Sequence, residues 1–546
     1  MSSKAPAEPP PFTKWRRYLW PVHAYELKKL IPMLLIFFFI SFDYNVLRTL
    51  KDTLLITAKS SGAEVIPFVK VWAMFPGAVL MTLLFAWLSN RLPRATVFYI
   101  IISIFLAYFA AFTFVLYPNR DIIHPNEFAD YLATVLPPGF KGFIAMFRYW
   151  TFTLFYVMSE LWSSIVLSVL FWGFANQVTK ISEAKRFYGL FGVGANFSGI
   201  FAGQVSVFCC NYTRNGGTLP IGEDPWHQSL ILMVSLILVA GFFTLLLYRW
   251  LETSVLTDKI YFDPVNVKSE REVKGKLSLK QSLSYLMNSK YLMLVALIVI
   301  SYNLVINLTE VLWKHQVKEL YPNPNDYTVY MNHVVSIIGL VATISSLFVA
   351  GNAIRKCGWT FTALLTPIIL FVTSIGFFAF FFLDSISPAA VISVLGMSPL
   401  AMVVFFGTAQ NILSRGAKYS VFDATKEMSF VPLDPEKKLV GKAAIDGICS
   451  RFGKSGGSFV HQTLLIAFAS FSASAPFVAI VLFGVIFIWS SAVRLLGKQF
   501  NELTNPEAAV APVLLSETNG EETLSGVTSR PAPILADSVL KEQQAT

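Results

Sequence analysis

Ile40–Lys59 reads ISFDYNVLRTLKDTLLITAK, and the fold turns on how this stretch is taken. It continues an apolar run, Ile31 to Phe42, that opens like a membrane helix. It then sets Asp43, Arg48, Lys51 and Asp52 where a spanning helix ordinarily carries no charge. At mid-bilayer each such charge costs about 2.5–3.5 kcal/mol, so charges there face a water-filled cavity or one another. Arg48 and Lys51 are three apart and share a helix face. Two cations aimed the same way into a membrane cavity imply an anionic occupant.

Composition agrees. Of 546 residues 55% are hydrophobic and 14% charged, where a soluble domain carries about 25% charged residues. The chain is therefore expected to be an all-α polytopic membrane protein, with lipid as its surroundings. A net charge of +10 would suggest nucleic acid in a soluble domain. Here Lys and Arg gather in loops on one side of the membrane, so no nucleic-acid partner is expected. Cys209, Cys210, Cys357 and Cys449 show neither CxxC nor Cys/His spacing, which leaves no metal site or disulfide framework to expect. Residues 1–12 read as neither a signal peptide nor a transit peptide.

Segments long enough to span fall near 29–57, 66–88, 96–117, 143–176, 187–209 and 228–250, then 288–313, 329–353, 360–383, 388–414, 440–468 and 472–496. That predicts twelve transmembrane helices in two six-helix halves, residues 29–250 and 288–498. A cytoplasmic segment, 1–28, precedes them, a cytoplasmic linker, 251–287, joins them, and a disordered tail, 499–546, follows. Cations alternate from loop to loop in a way that places both termini in the cytoplasm. A weak repeat supports the two halves. The small-residue run from Gly192 to Gly199, with Asn196 inside it, is echoed by Gly453 to Ser458, and Asn45 leads to Lys51 as Asn303 leads to Glu310. Such halves suit a major-facilitator-like architecture with its site at the midplane.

Arg148 and Glu160 share the fourth segment at about 18 Å along the axis, too far to pair with each other. Arg48, Lys51 and Lys454 are the expected partners of Glu160. Glu310 and Lys314 stand at i,i+4 with the acid first, the favourable order. The eleventh segment carries Lys442, Asp446, Arg451 and Lys454. Its Gly447 to Ser455 is not a P-loop, since five residues rather than four precede the Gly-Lys pair and no strand leads into it. The six histidines lack metal spacing, and no triad or carboxylate pair indicates catalysis, so neither an enzyme nor a cofactor is expected.

Several blocks are distinctive: Ala63-Glu-Val-Ile-Pro-Phe68, Phe155 to Trp162, Leu170 to Gln177, Ile306 to Lys314, Ala417 to Asp423, Gly441 to Asp446 and Gly453 to Gly457. By these the chain resembles the nucleotide transporter family, the ATP/ADP translocases of plastids and of obligate intracellular bacteria such as chlamydiae and rickettsiae. The resemblance runs from about Lys28 to Asn501. It implies import of host ATP against ADP, a form of energy parasitism, with Lys51, Glu160, Glu310 and Lys454 as the implicated charges. Arg48 matches too, although Thr49-Leu50 stands where plant-type members carry Asp-Thr. The expected substrate-binding set is thus Arg48, Lys51, Arg148, Glu160, Asn196, Glu310 and Lys454, with Asp43, Lys314, Asp446 and Arg451 as gating or ion-pair residues. Tyr44, Tyr149 or Tyr156 is expected to stack the base. The resemblance further implies a monomer in a bacterial inner membrane, with phosphate a candidate compensating ion. A proton-coupled importer or exchanger of GTP, UTP, CTP or NAD is the alternative on the same scaffold.

Overall fold

Three of the long helices start with one device: a polar cap followed by proline, whose missing N–H costs nothing at the first helical position. Asp224 accepts from the His227 N–H, Asn323 from Asn325 and Ser398 from Ala401, ahead of Pro225, Pro324 and Pro399. The computed structural model describes residues 22–179, 181–217, 219–258, 261, 286–386, 396–434, 438, 441–442 and 444–504. The linker and tail expected from the sequence lie almost wholly outside the described residues.

The long helices are α1 (Leu27–Ile56), α2 (Val65–Arg91), α3 (Arg94–Leu116), α4 (Trp150–Val178), α5 (Ile181–Arg214) and α6 (Pro225–Ser254). After the linker come α7 (Lys290–Leu320), α8 (Pro324–Phe348), α9 (Ala350–Ile386), α10 (Pro399–Ala417), α11 (Ser450–Phe468) and α12 (Phe471–Thr504). Among the described residues ten helices are long and apolar enough to cross a membrane. Helices α10 and α11 stand where the other two spans were expected, but their 19 residues each are too polar to qualify. Residues up to Leu496 form one compact unit, and Gly497–Thr546 a second, of which 497–504 are helical. Large apolar side chains point outward along the spans, for example Phe75 and Leu80 on α2, Phe242 on α6 and Phe487 on α12. In lipid that face is solvated, and only the helix interior satisfies the backbone.

Within the core, two buried indoles tie helices together. Trp162 donates to the Ile40 carbonyl of α1 at 3.0 Å, and Trp313 of α7 to Thr408 of α10 at 3.1 Å. The repeat is also visible in the packing. Asn45 donates to the Ser41 carbonyl and Asn303 to the Val299 carbonyl, each one turn back. Each asparagine then faces a glycine of the matching small-residue helix, Gly199 of α5 and Gly453 of α11. Asn45 and Asn303 are 258 positions apart, and so are Asp52 and Glu310. The structural register therefore sets Asp52, rather than Lys51, opposite Glu310.

The described hydrogen bonds and ion pairs between the halves gather at one face. Thr49 donates to Asn332 at 3.3 Å, the Thr53 and Thr328 hydroxyls meet at 2.9 Å, and Gln204 donates to Ser336 at 2.9 Å. Arg214 pairs with Asp326 at 2.7 Å farther out. They use the C-terminal parts of α1 and α5 and the first half of α8, and Ser229 at the start of α6 adds a bond to Asn325 at 2.9 Å, so the halves are closed on the face where α1 ends. At Gly339 the crossing of α8 and α5 is so tight that a Cβ would sit 2.7 Å from the Asn196 carbonyl.

A Gly339→Val substitution must push these helices apart. Overpacking of this kind costs about 1–3 kcal/mol. The detergent-solubilised variant should therefore unfold at lower temperature, while Gly484→Val, whose added Cβ meets nothing within 4 Å, should not.

Candidate functional site

Lys51 and Asp52 of α1 are held by charges on α4 and α7, and through these reach α10. Lys51 Nζ lies 2.9 Å from its neighbour Asp52 Oδ1 and 3.1 Å from Glu160 Oε1 on α4. The second Asp52 oxygen is 2.8 Å from Lys314 Nζ on α7, across the boundary between halves. Lys314 in turn lies 3.0 Å from Glu310 Oε1, one turn earlier on its own helix, and Arg415 of α10 reaches the same oxygen at 3.1 Å. The result is one chain of alternating sign, Glu160–Lys51–Asp52–Lys314–Glu310–Arg415. Three cations and three anions cancel. The side chains of Lys51, Asp52 and Lys314 are each no more than 5% exposed. Such burial is tolerated only when every charge keeps a partner at hydrogen-bond distance.

Further cations stand around this chain without an ion partner among the described residues. Lys454 of α11 feels Glu160 across the site, together with Lys418 and Arg415. Arg48 acts on Glu310 and on Tyr419. Lys70 of α2 is half-buried and in electrostatic reach of Glu310, Glu160, Lys314 and Lys51. Lys418, by contrast, is paired: Asp423 is 3.5 Å from its ammonium, which lies 4.6 Å from the Tyr419 ring centre. Several of these residues ride on wide π-helical turns, Val69–Ala73 for Lys70 and Lys418–Phe422 for Lys418 and Tyr419. A π-turn re-aims side chains within an otherwise regular helix and recurs at functional sites.

Of the residues predicted from sequence, Arg48, Lys51, Glu160, Glu310, Lys314 and Lys454 come together here. Others do not. The fourth segment is not continuous: the backbone breaks at Tyr149 (φ −99°, ψ 49°), leaving Arg148 on a separate short helix, Lys141–Arg148. Arg148 pairs with Asp130 at the face where α1 ends and lies outside the charge chain. Asp43 is fully buried on α1, yet neither carboxyl oxygen has a hydrogen-bond partner among the described residues, and it forms no ion pair with them. Asp446 pairs with Lys426 at 2.8 Å, away from the chain. Arg451 is exposed on α11 and has no ion pair among the described residues. Asn196 contributes its carbonyl to the α5–α8 crossing and no side-chain hydrogen bond. Of the tyrosines, Tyr156 is fully buried under the Lys51 ammonium at 3.9 Å and offers no free face for a base. Tyr149 belongs with Arg148.

Sequence reasoning left out Lys70, Arg415, Lys418 and Tyr419, and named Asp52 without placing it. Lys70 had a signal, a lone cation inside the apolar segment 66–88. Arg415 and Lys418 follow directly on the expected span 388–414, where a loop is predicted, and nothing local shows that α10 runs on through a π-turn to Ser429.

The family model described as TLC ATP/ADP transporter matches residues 6–500. The chain belongs to that family. It is a multi-pass membrane transporter and not an enzyme. This ATP/ADP transporter family member is 48% identical over 491 residues to "ADP,ATP carrier protein 1" of Chlamydia trachomatis, spanning 90% of this chain and 92% of the relative. It is 41% identical over 487 residues to the chloroplastic "ADP,ATP carrier protein 2" of Arabidopsis thaliana, spanning 89% and 77%. A bacterial homologue of the iron transporter ferroportin, solved in an inward-facing state, shares the fold with a TM-score of 0.50 at 14% identity, over 88% of this chain and 98% of that one.

Removing Lys314 alone leaves two buried carboxylates without their shared cation. Breaking a buried pair from one side costs about 3–5 kcal/mol. Lys314→Met should therefore unfold at markedly lower temperature, and the double variant Asp52→Asn, Lys314→Met should regain much of that loss in a thermal melt.

Proposed function

We propose that the chain exchanges ATP for ADP by alternating access, with the phosphate chain of the nucleotide held among Arg48, Lys51, Lys70, Lys314, Arg415 and Lys454. The observation that carries this reading is the neutral six-charge chain that ties the halves together through Asp52 and Lys314, flanked by Arg48, Lys70 and Lys454, which have no ion pair among the described residues. An apolar or cationic cargo has no use for that surplus. A triphosphate does: its oxygens compete with Asp52, Glu160 and Glu310 for the lysines, and charge-assisted bonds to phosphate are about twice as strong as neutral ones.

Exchange rather than free uniport follows from the same charges. With the site empty, closing both faces at once would trap unmatched cations in low dielectric. A bound nucleotide supplies the missing anions, so the loaded carrier crosses faster than the empty one. ATP carries about one more negative charge than ADP, and uncompensated exchange couples to the membrane potential by about 2.3 kcal/mol per 100 mV. Phosphate moving with ADP would remove that coupling, so the voltage dependence of uptake reports the compensating ion. Tyr419, about half exposed beside Arg48 and Lys418, is the aromatic we assign to the base. We further propose a monomer in a bacterial inner membrane with both termini cytoplasmic, as the alternation of loop cations suggests. In that orientation the closed face is the outer one.

Cells expressing the chain and preloaded with ADP should take up labelled ATP faster than cells without ADP, and only adenine nucleotides should compete. Uptake blocked by GTP, UTP, CTP or NAD, or collapsed by a protonophore with no counter-substrate, contradicts the reading. Lys51→Ala and Lys454→Ala should each abolish uptake with membrane insertion intact; normal transport by either one refutes the phosphate assignment. Lys70→Ala should lower uptake at least tenfold, a loss of roughly 1.4 kcal/mol in substrate interaction.

A further inference from the structure

Beyond the closed end of the site lies a second cavity, of about 560 Å³, at the face where α1 ends. Leu54 and Thr57 of α1 reach it, so it begins within about a turn of the Thr53–Thr328 bond that closes that face. Its size falls in the range of small-molecule sites, roughly 300–1,000 Å³. Its wall carries Lys59, Arg120 and Arg148.

The charges in this wall are sorted by depth. The Arg148 side chain is 13% exposed while its partner Asp130 is 69% exposed, and Arg120 is 19% exposed against 59% for Glu223. Arg120 and Arg148 share the cavity wall with the exposed carboxylates of Asp121 and Asp130, while Glu223 is not among the lining residues. Lys59 is exposed and has no ion pair among the described residues. His124 bonds Thr151 at 2.7 Å, and burial pushes its imidazole below the usual range, so it adds no charge. Flat apolar surface completes the wall: Tyr149 and Phe152 stack at 5.5 Å between ring centres, and Tyr117 lies under Arg120 at 4.6 Å. Carboxylates out in water are weakly held partners, since exposed ion pairs contribute about 0–1 kcal/mol. A phosphate group entering the cavity can displace them from the arginines.

We infer that this cavity is a docking site for the phosphate end of a nucleotide, occupied from the face where α1 ends before that face opens. The inference rests on the exchange reading above. It assigns Arg148, Arg120 and Lys59 to capture rather than to the central site. It also allows one nucleotide to wait at this face while the central site is open to the other.

The test uses the full chain reconstituted in vesicles, with exchange measured separately from each side. Lys59→Ala and Arg148→Gln should each raise the KM for ATP supplied at this face by about threefold, with the KM for ADP at the opposite face unchanged. Asp130→Asn should do the reverse and lower the KM at this face, because it frees Arg148 from its rival; a structural role for the pair predicts no such gain. A wild-type protein that does not exchange nucleotides defeats the exchange reading itself. Wild-type exchange with the three KM values unmoved, or moved equally on both faces, defeats the docking site alone. Since an anionic lipid headgroup carries the same phosphate, the measurements are repeated in vesicles with and without phosphatidylglycerol. A KM effect present only with that lipid assigns the cavity to lipid and overturns the inference.

Discussion

Lys314 sits between two carboxylates that belong to different halves, 2.8 Å from Asp52 and 3.0 Å from Glu310. The rest of the site depends on that placement. Because Asp52 is shared between Lys51 and Lys314, the charges of α1 and α4 are joined to those of α7 and α10 in one neutral line. Electrostatic attraction in low dielectric is strong, and so is the penalty for leaving any member alone. The line is thus stable only as a whole or when an incoming anion replaces its acidic members. That is the behaviour a transporter needs from a gate, and it is built from side chains that hydropathy alone marks as misplaced.

The fold was legible because its signals are local. Runs of apolar residues suffice to mark an all-helical, multi-pass membrane protein; ten of the expected spans are long and apolar enough among the described residues, while α10 and α11 are more polar. The site was legible in part for the same reason: a charge in an apolar run announces itself, as Lys51, Glu160 and Glu310 did. What the sequence withheld is direction and continuity. Asp43 and Asp52 look alike in the chain, nine residues apart on one helix, yet one is sealed away from every donor and the other bridges two lysines. Arg148 appeared to lie on the fourth span, and a single non-helical residue, Tyr149, moved it elsewhere. Arg415 looked like a loop cation and proved to be the end of the charge line.

The π-helical turns explain part of that gap. Each inserts a residue into the helical count, so side chains beyond it face a direction that a regular period of 3.6 does not give. Lys70, Lys418 and Tyr419 all stand within such turns. The structure turns Lys70 toward Glu310 and Glu160, and Tyr419 toward Arg415 and Arg48, which an even period does not predict.

The match between Asp52 and Glu310 has one further consequence. Two equivalent acids share a single lysine, and that lysine belongs to the second half. When the closed face parts, Asp52 must leave with α1 while Lys314 stays with Glu310 on α7. The described polar contacts place no comparable latch at the opposite mouth. The molecule is therefore a door with one bolt, and at rest it favours the posture in which the bolt is shot. With the termini cytoplasmic, as proposed above, the unlatched side is the one from which ADP arrives, so the direction of readiness is set by an asymmetry inside a nearly symmetric frame.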